Sequence, residues 1–224
     1  MKEQVSWVIA GATGLVGQAV LEATLNDDSV SQVHTLTRRA LSAENNKLKQ
    51  WISDDLQAPV LSRDDIAPSV GVIALGTTIK KAGSKANFYA VDVDLVAHTA
   101  KVMQRMGVTH LFVVSCIGAN PRAFSHYLRC KGQMEAKVQS LCFSRLTFLH
   151  PGPLAGERSE SRKDEVLVQG LLKVLRPVMK GSLMNYQPIE AKDMAKAVLS
   201  RAKHPSTDCV EYLTASQMMQ LARA

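Results

Sequence analysis

"VIAGATGLVGQAVLEATL", residues 8–25, decides how the chain reads. Small and apolar residues lead into Gly11, Gly14 and Gly17, one at every third position, and the pattern then turns helical. Val5–Ala10 reads as a strand, and Gly14–Leu25 as a helix with Leu15, Val16, Ala19, Val20 and Ala23 on one face. Glycine lets a backbone approach a ligand with no β-carbon in the way, and a later glycine lets the helix pack close to its strand. A helix N-terminus also offers unpaired N–H groups and partial positive charge. Together these suit a diphosphate. The spacing is G-x-x-G-x-x-G rather than the G-x-G-x-x-G of many dinucleotide enzymes, so the flanking strand and helix carry the reading.

Outward from this corner, short β-branched runs alternate with longer amphipathic ones. Val33–Thr37, Lys49–Ile52, Val70–Leu75, His110–Ser115 and Arg145–His150 read as strands. "VGVIAL" is apolar throughout, as expected of a strand buried on both faces. A long helix is predicted from Ser84 to Met106, with Phe88, Val91, Leu95, Val96, Thr99, Val102, Met103 and Met106 at helical spacing and Gly107 ending it. Phe124–Leu141, Val166–Met179 and "AKDMAKAVLSRAKH" are also predicted helical, and "CVEYLT" is a last short strand. The alternation predicts an α/β fold, a Rossmann-type doubly wound parallel sheet. A single NAD(P)-binding domain over residues 1–224 is expected, with about 154–224 forming a small C-terminal substrate-side lobe.

The totals exclude several classes. The net charge of +7 comes from scattered residues, with no RNA-binding signature, zinc-finger spacing or basic helix, so no nucleic-acid partner is expected. No apolar run reaches the ~18 residues of a membrane span, and nothing resembles a signal peptide. A cytoplasmic protein with no membrane partner is expected. Cysteines 116, 130, 142 and 209 lack C-x-x-C spacing, which predicts buried, reduced thiols and no metal site.

The end of the second predicted strand refines the ligand. An NAD site usually places an acid there on the adenosine ribose; this chain reads Thr37-Arg38-Arg39. Two guanidinium groups suit a phosphate ester, so NADP is expected, with NADPH preferred over NADH. Asp55 and Leu56, after the third strand, are candidates for the adenine contact.

"SHYLRCKGQMEAKV" places Tyr127 and Lys131 one helical turn apart on one face. For Tyr127 to exchange protons near neutrality its hydroxyl must titrate well below ~10, about 4 kcal/mol of bias toward phenolate. An ammonium neighbour supplies part of that. Ser115, at a strand end, can orient a carbonyl or alcohol beside the tyrosine. His126 projects away from Tyr127 on the helix. Lys80, Lys81 and Lys85 read as a solvated basic loop, and Met218 and Met219 as core fillers or a partner face.

"GATGLVG", "ALGTT", "VVSCIGA", Tyr127-x-x-x-Lys131 and "LHPGPLAGER" together resemble the short-chain dehydrogenase/reductase superfamily. They are most similar to its extended or atypical branch, and there to the oxidoreductase-like group related to Tat-interacting protein. Tyr127, Leu128, Lys131, Gly132 and Glu135, then Pro151, Gly152, Leu154, Gly156 and Arg158, match stretches that recur in that group. The resemblance implies that Gly11, Thr13, Gly14, Leu15, Val16 and Gly17 hold the diphosphate. It implies that Gly76 and Thr77 lie beside the nicotinamide, and that Pro151 and its neighbours line its pocket. It makes Ser115, Tyr127 and Lys131 the catalytic group, with Lys131 also bonding the nicotinamide ribose. Many superfamily members carry an asparagine that supports a proton relay where this chain has Asp92.

The expected function is NADP(H)-dependent hydride transfer between nicotinamide and a small-molecule carbonyl or alcohol, by a monomer or homodimer. The alternatives are an NADP(H)-binding regulatory or redox-sensing protein that acts through partners, and a sugar-nucleotide epimerase, for which the C-terminal third is short.

Overall fold

A computed structural model describes residues 5–58, 60–152, 154–155 and 187–223. Seven parallel strands form one sheet: β1 (Val5–Ala10), β2 (Val30–Thr37), β3 (Leu48–Ile52), β4 (Val70–Ile73), β5 (His110–Val114), β6 (Arg145–His150) and β9 (Val210–Thr214). Their order is β3-β2-β1-β4-β5-β6-β9. Each strand pairs in parallel with its neighbour, for example Ile9 with Thr35 on one side and with Val72 on the other. A two-stranded ladder, β7 (Leu154–Ala155) with β8 (Ile189–Glu190), stands outside this sheet. The expected doubly wound α/β sheet is present, and its direction of growth reverses between β1 and β4.

Strand alternation explains both helical layers. Trp7 and Ile9 of β1 face one side with Val33, Val72, Phe112 and Leu149, under α1 (Leu15–Leu25), α6 (Ala191–Lys203) and α7 (Ala215–Leu221). Val8 and Ala10 face the other with Leu36, Ile73, Leu111 and Phe148, under α4 (Val96–Arg105) and α5 (His126–Gln139). This is the period-2 rule of a sheet buried on both faces. Met194, Met218 and Met219 are buried in the α1 layer, so the methionine pair fills the core. The described end of the C-terminal third therefore extends the main sheet and covers it.

One predicted element differs in kind. The helix expected to run regularly from Ser84 to Met106 consists of α3 (Lys85–Tyr89), a π-helical turn over Ala90–Leu95, and α4. The π turn brings Asp92 and Val93 into the interior, while Val91 and Leu95 line a cleft and Leu95 also packs against the core. A short helix α2 (Ile79–Ala82) precedes it, carrying the exposed Lys80 and Lys81. Of the cysteines, Cys116 and Cys130 are buried, but Cys142 and Cys209 are exposed because they lie in the turns before β6 and β9. The helix predicted over 166–179, with Gly156 and Arg158, lies outside the described residues.

His110 opens β5 inside the core. It stacks on Phe112 with ring centroids 4.2 Å apart, and its Nε2 lies 3.1 Å from Thr147 Oγ1. Burial, with the nearby Arg145 and Arg201 cations, pushes its imidazole down to about 4. An unfolded histidine takes up a proton near pH ~6.5. The folded state therefore gains stability from neutral His110 above that pH and loses it as the pH falls toward about 4. The urea midpoint should accordingly drop more between pH 7 and pH 4.5 in the native chain than in a His110→Gln variant. Parallel curves would show that His110 is not the titrating group.

Candidate active site

The turn from β1 into α1 is held by backbone alone. Gly11 has φ +90°, and a β-carbon there would stand 2.6 Å from the Ala74 carbonyl oxygen at the end of β4. A β-carbon at Gly17 would stand 2.1 Å from the Gly11 carbonyl oxygen. The glycines thus let strand, turn and helix close on one another. The Gly14 amide donates to the Gly11 carbonyl at 2.9 Å, and no side chain caps the first turn of α1. The N–H groups at that helix end are left for a ligand.

A cleft opens from this turn. Gly11, Ala12, Thr13, Leu36, Thr37, Arg38, Leu56, Leu75, Gly76, Val91 and Leu95 line it. Five of the sequence-predicted binding residues are on that wall: Gly11, Thr13, Arg38, Leu56 and Gly76. Leu36, Leu56, Leu75, Val91 and Leu95 give it an apolar lining suited to a flat base, and Arg38 on its wall is exposed. Leu56 holds a left-handed φ of 58° while 2% exposed, so the loop after β3 is fixed in an uncommon conformation there. The residues fit a dinucleotide.

Other predicted residues stand differently. Val16 turns its side chain into the core and Leu15 packs against it, which leaves only their backbone N–H groups for a ligand. Arg39 is exposed and off the cleft wall, and its carbonyl accepts from Thr37 Oγ1 at 2.7 Å. Asp55 is exposed and accepts from the Ser53 hydroxyl and the Gln57 amide, which holds its carboxyl below the usual range. It closes its own turn instead of facing the cleft. The Thr77 amide donates to Asp92 Oδ2 at 2.8 Å. Pro151 is buried directly after β6.

Beside Gly76 the helices supply charge. Lys131 Nζ lies 2.9 Å from Asp92 Oδ1, and their side chains are 6% and 1% exposed. A β-carbon at Gly76 would stand 3.4 Å from Asp92 Oδ1 and 3.9 Å from Lys131 Nζ. The π turn is what carries Asp92 to this point. Tyr127, one turn before Lys131 on α5, is 39% exposed, and its ring stands 6.0 Å from that of Phe88. Its hydroxyl shares a hydrogen bond with Cys116; burial pushes that thiol up, and the tyrosine contact pulls it partly back. His126 turns to Cys130 and Phe88 and takes no part.

Ser115 follows β5 and is buried. Its hydroxyl donates to Glu135 Oε1, and His150 Nε2 lies 2.8 Å from the same oxygen. Sequence reasoning did not assign either partner. Tyr127, Lys131 and Glu135 recur at every fourth residue, so the shared helix face was legible. The partnership of His150 depends on β6 lying beside β5, which spacing does not reveal. Among the described residues no cluster of His, Cys, Asp and Glu is arranged to hold a metal ion, and no helix is long and apolar enough to cross a membrane.

A parallel sheet with a glycine turn at its reversal point and a Tyr–Lys helix beside it defines a nucleotide-binding oxidoreductase-like fold. The chain belongs to the NAD(P)H-binding family, which it matches over residues 11–205, in an atypical short-chain dehydrogenase/reductase group. It is 31% identical to protein HTATIP2 of Rattus norvegicus over 222 residues, covering 96% of this chain and 88% of that one. It is also 31% identical to the protein fmp52 of Aspergillus niger, covering 86% and 84%. Among solved structures it resembles the Bordetella bronchiseptica enzyme WbmG in complex with NAD (TM-score 0.66, 15% identity, 94% of this chain and 73% of that one). It also resembles MoeE5 in complex with UDP-glucose and NAD (TM-score 0.64, 13% identity, 97% and 80%). The Fmp52 relatives of Aspergillus niger and Candida albicans are named mitochondrial, which overturns the expectation of a cytoplasmic protein.

Asp92→Asn keeps the acceptor for the Thr77 amide but leaves the Lys131 ammonium buried without a counter-charge. Breaking a buried pair this way costs about 3–5 kcal/mol. Denaturant unfolding should show a loss of that order, partly recovered when Lys131→Met is added. Additive losses in the double variant would contradict the coupling.

Proposed function

We propose that the chain is an NADP(H)-dependent oxidoreductase acting on a small-molecule carbonyl or alcohol. One observation carries this reading: Gly76 lines the same cleft as the glycine turn and packs against the Lys131–Asp92 pair, one helical turn from Tyr127. When bound, the nicotinamide dinucleotide supplies or accepts the hydride. Gly11, Thr13 and Gly14, with the N–H groups of Leu15 and Val16, hold the diphosphate, and Gly17 lets α1 approach it. Arg38 holds the ribose phosphate ester at the cleft edge, where a carboxylate would repel it. Gly76, Thr77 and Pro151 border the nicotinamide end.

The proton chemistry belongs to the chain. Tyr127 donates a proton to the reacting oxygen in reduction and takes one in oxidation. Lys131 bonds the nicotinamide ribose and places a cation near the phenol. Asp92 fixes that ammonium in place. Ser115 positions the substrate.

Fluorescence titration of NADPH and NADH tests the cofactor assignment, and turnover tests the chemistry. NADPH should bind at least about tenfold more tightly than NADH, and Arg38→Ala should abolish that difference, as loss of a charge-assisted bond predicts. Tyr127→Phe should lower NADPH-dependent turnover of a carbonyl panel by about a hundredfold or more while NADPH still binds. Equal affinities would reject the phosphate assignment. A panel without turnover by a chain that binds NADPH would favour the regulatory alternative.

A further inference from the structure

His34 lies on β2 and is 0% exposed, yet both of its ring nitrogens are engaged. Trp51 Nε1 of β3 lies 3.1 Å from Nδ1, and the Ile66 carbonyl oxygen lies 3.0 Å from Nε2. An indole N–H can only donate and a carbonyl can only accept. These partners fix one state, a neutral imidazole with its proton on Nε2. A second proton, at Nδ1, would set one N–H against another, so the bond from Trp51 has to break when His34 ionises. Burial holds the imidazole below the usual histidine range. The charged groups acting on the ring are Asp65, which favours the cation, and Lys49 of β3, which opposes it. Those two are bonded to each other, and β1 pairs the apolar Val8 with His34. Trp51 and Ile66 stand at opposite ends of one loop between β3 and β4, and the chain between them carries Leu56, which lines the cleft. The base of that loop has two further ties: the Lys49–Asp65 ion pair, and the Ile66 amide on Gln32 Oε1 at 2.8 Å. Asp65 titrates at about 2 and Gln32 does not titrate, so His34 is the tie whose charge can change between pH 5 and pH 8.

We propose that His34 is a proton-operated clasp on the cofactor cleft: on taking up a proton it lets go of Trp51, loosens the loop that carries Leu56 and weakens dinucleotide binding. The proposal rests on reading the cleft as a dinucleotide site and adds the regulation of that site. Leu56 is the sensitive point. It is buried with a left-handed φ of 58°, a conformation that a non-glycine residue keeps only where its surroundings over-determine it. Slackening the base of the loop frees Leu56 to leave the cleft wall. The sign follows from the neutral state of the ring. The clasp is closed above the histidine range and opens as the pH falls through the lowered value of His34. Binding and protonation are reciprocal, so a bound dinucleotide in turn makes His34 harder to protonate.

Histidine ring NMR and hydrogen exchange on the full-length chain test the clasp, and NADPH titration tests its effect. At pH 7.5 His34 should carry its proton on Nε2 and none on Nδ1. As His34 titrates on acidification, exchange protection of the Trp51 indole and the Leu56 amide should fall together by about tenfold, the worth of one hydrogen bond. NADPH affinity should fall by a similar factor relative to His34→Gln, whose amide can donate to Ile66 and accept from Trp51 but takes up no proton. The phosphates of NADPH titrate alike for both chains, so the comparison cancels them. Trp51→Phe removes the opposing N–H and should raise the His34 midpoint; if His34→Gln does not fold, this variant decides. A proton on Nδ1 at pH 7.5, Leu56 protection that ignores the titration of His34, a midpoint unmoved by Trp51→Phe, or an equal fall in NADPH affinity for native and His34→Gln chains would each overturn the proposal. A chain that binds no NADPH at pH 7.5 rejects the cofactor reading instead, and the protection of Leu56 then decides the clasp alone.

Discussion

The close approach of three backbone segments governs this structure. The carbonyl of Gly11 lies where a side chain at Gly17 would be, and the carbonyl of Ala74 lies where a side chain at Gly11 would be. Those contacts tie β1, α1 and the end of β4 into one corner at the point where the sheet reverses its order. They give α1 an N-terminus with no side-chain cap and aim it along the carboxyl edge of the strands. Everything assigned to the ligand follows from that corner. The apolar side chains of Leu36, Leu56, Val91 and Leu95, with Arg38 and Gly76, all stand on the wall of the cleft that Gly11 and Thr13 of this corner also line.

Beside Gly76, the buried polar side chains are partnered. Lys131 and Glu135 lie one turn apart on α5, and each has a partner drawn from a different element: Asp92 from the π turn and His150 from β6. Buried charges persist only when such partners are present. Lys131 is paired with Asp92, and the Ser115 hydroxyl donates to Glu135. Helix α5 is pressed against the loop that follows β5, since a β-carbon at Gly132 would stand 2.2 Å from the Asn120 carbonyl carbon. That contact leaves little freedom for Tyr127 and Lys131 to slide relative to Ser115.

Much of this was legible in the residues. The glycine spacing located the corner, the apolar runs located the strands, and the Tyr127–Lys131 interval located a helix face, because each is a local pattern with a physical period. What escaped was non-local. A π turn adds a residue to one turn of helix, so the regular 3.6 period expected from Ser84 to Met106 breaks there and hid the burial of Asp92. Glu135 stood in a recurring stretch, yet its bond to Ser115 spans 20 residues and its contact with His150 depends on strand order. Asp55 was expected at the adenine, but a short polar side chain after a strand also closes turns, and here it does so with Ser53 and Gln57. "CVEYLT" was recognisable as a strand, but its place beside β6, as the seventh member of the sheet, rests on a parallel pairing of Leu146 with Val210.

The central proposal is that the cleft lined by the glycine turn, Arg38, Leu56 and Gly76 holds a dinucleotide that reaches the Lys131–Asp92 pair beside Gly76. Amide and lysine side-chain NMR shifts, followed as NADPH is titrated into the full-length chain, test it most directly. The account predicts that the largest changes fall together at Gly11–Gly17, Arg38, Leu56, Gly76 and Lys131, with the outer face around Gln57, His98 and Arg105 unmoved. Changes confined to that outer face, or changes at the glycine turn that do not extend to Gly76 and Lys131, would contradict it.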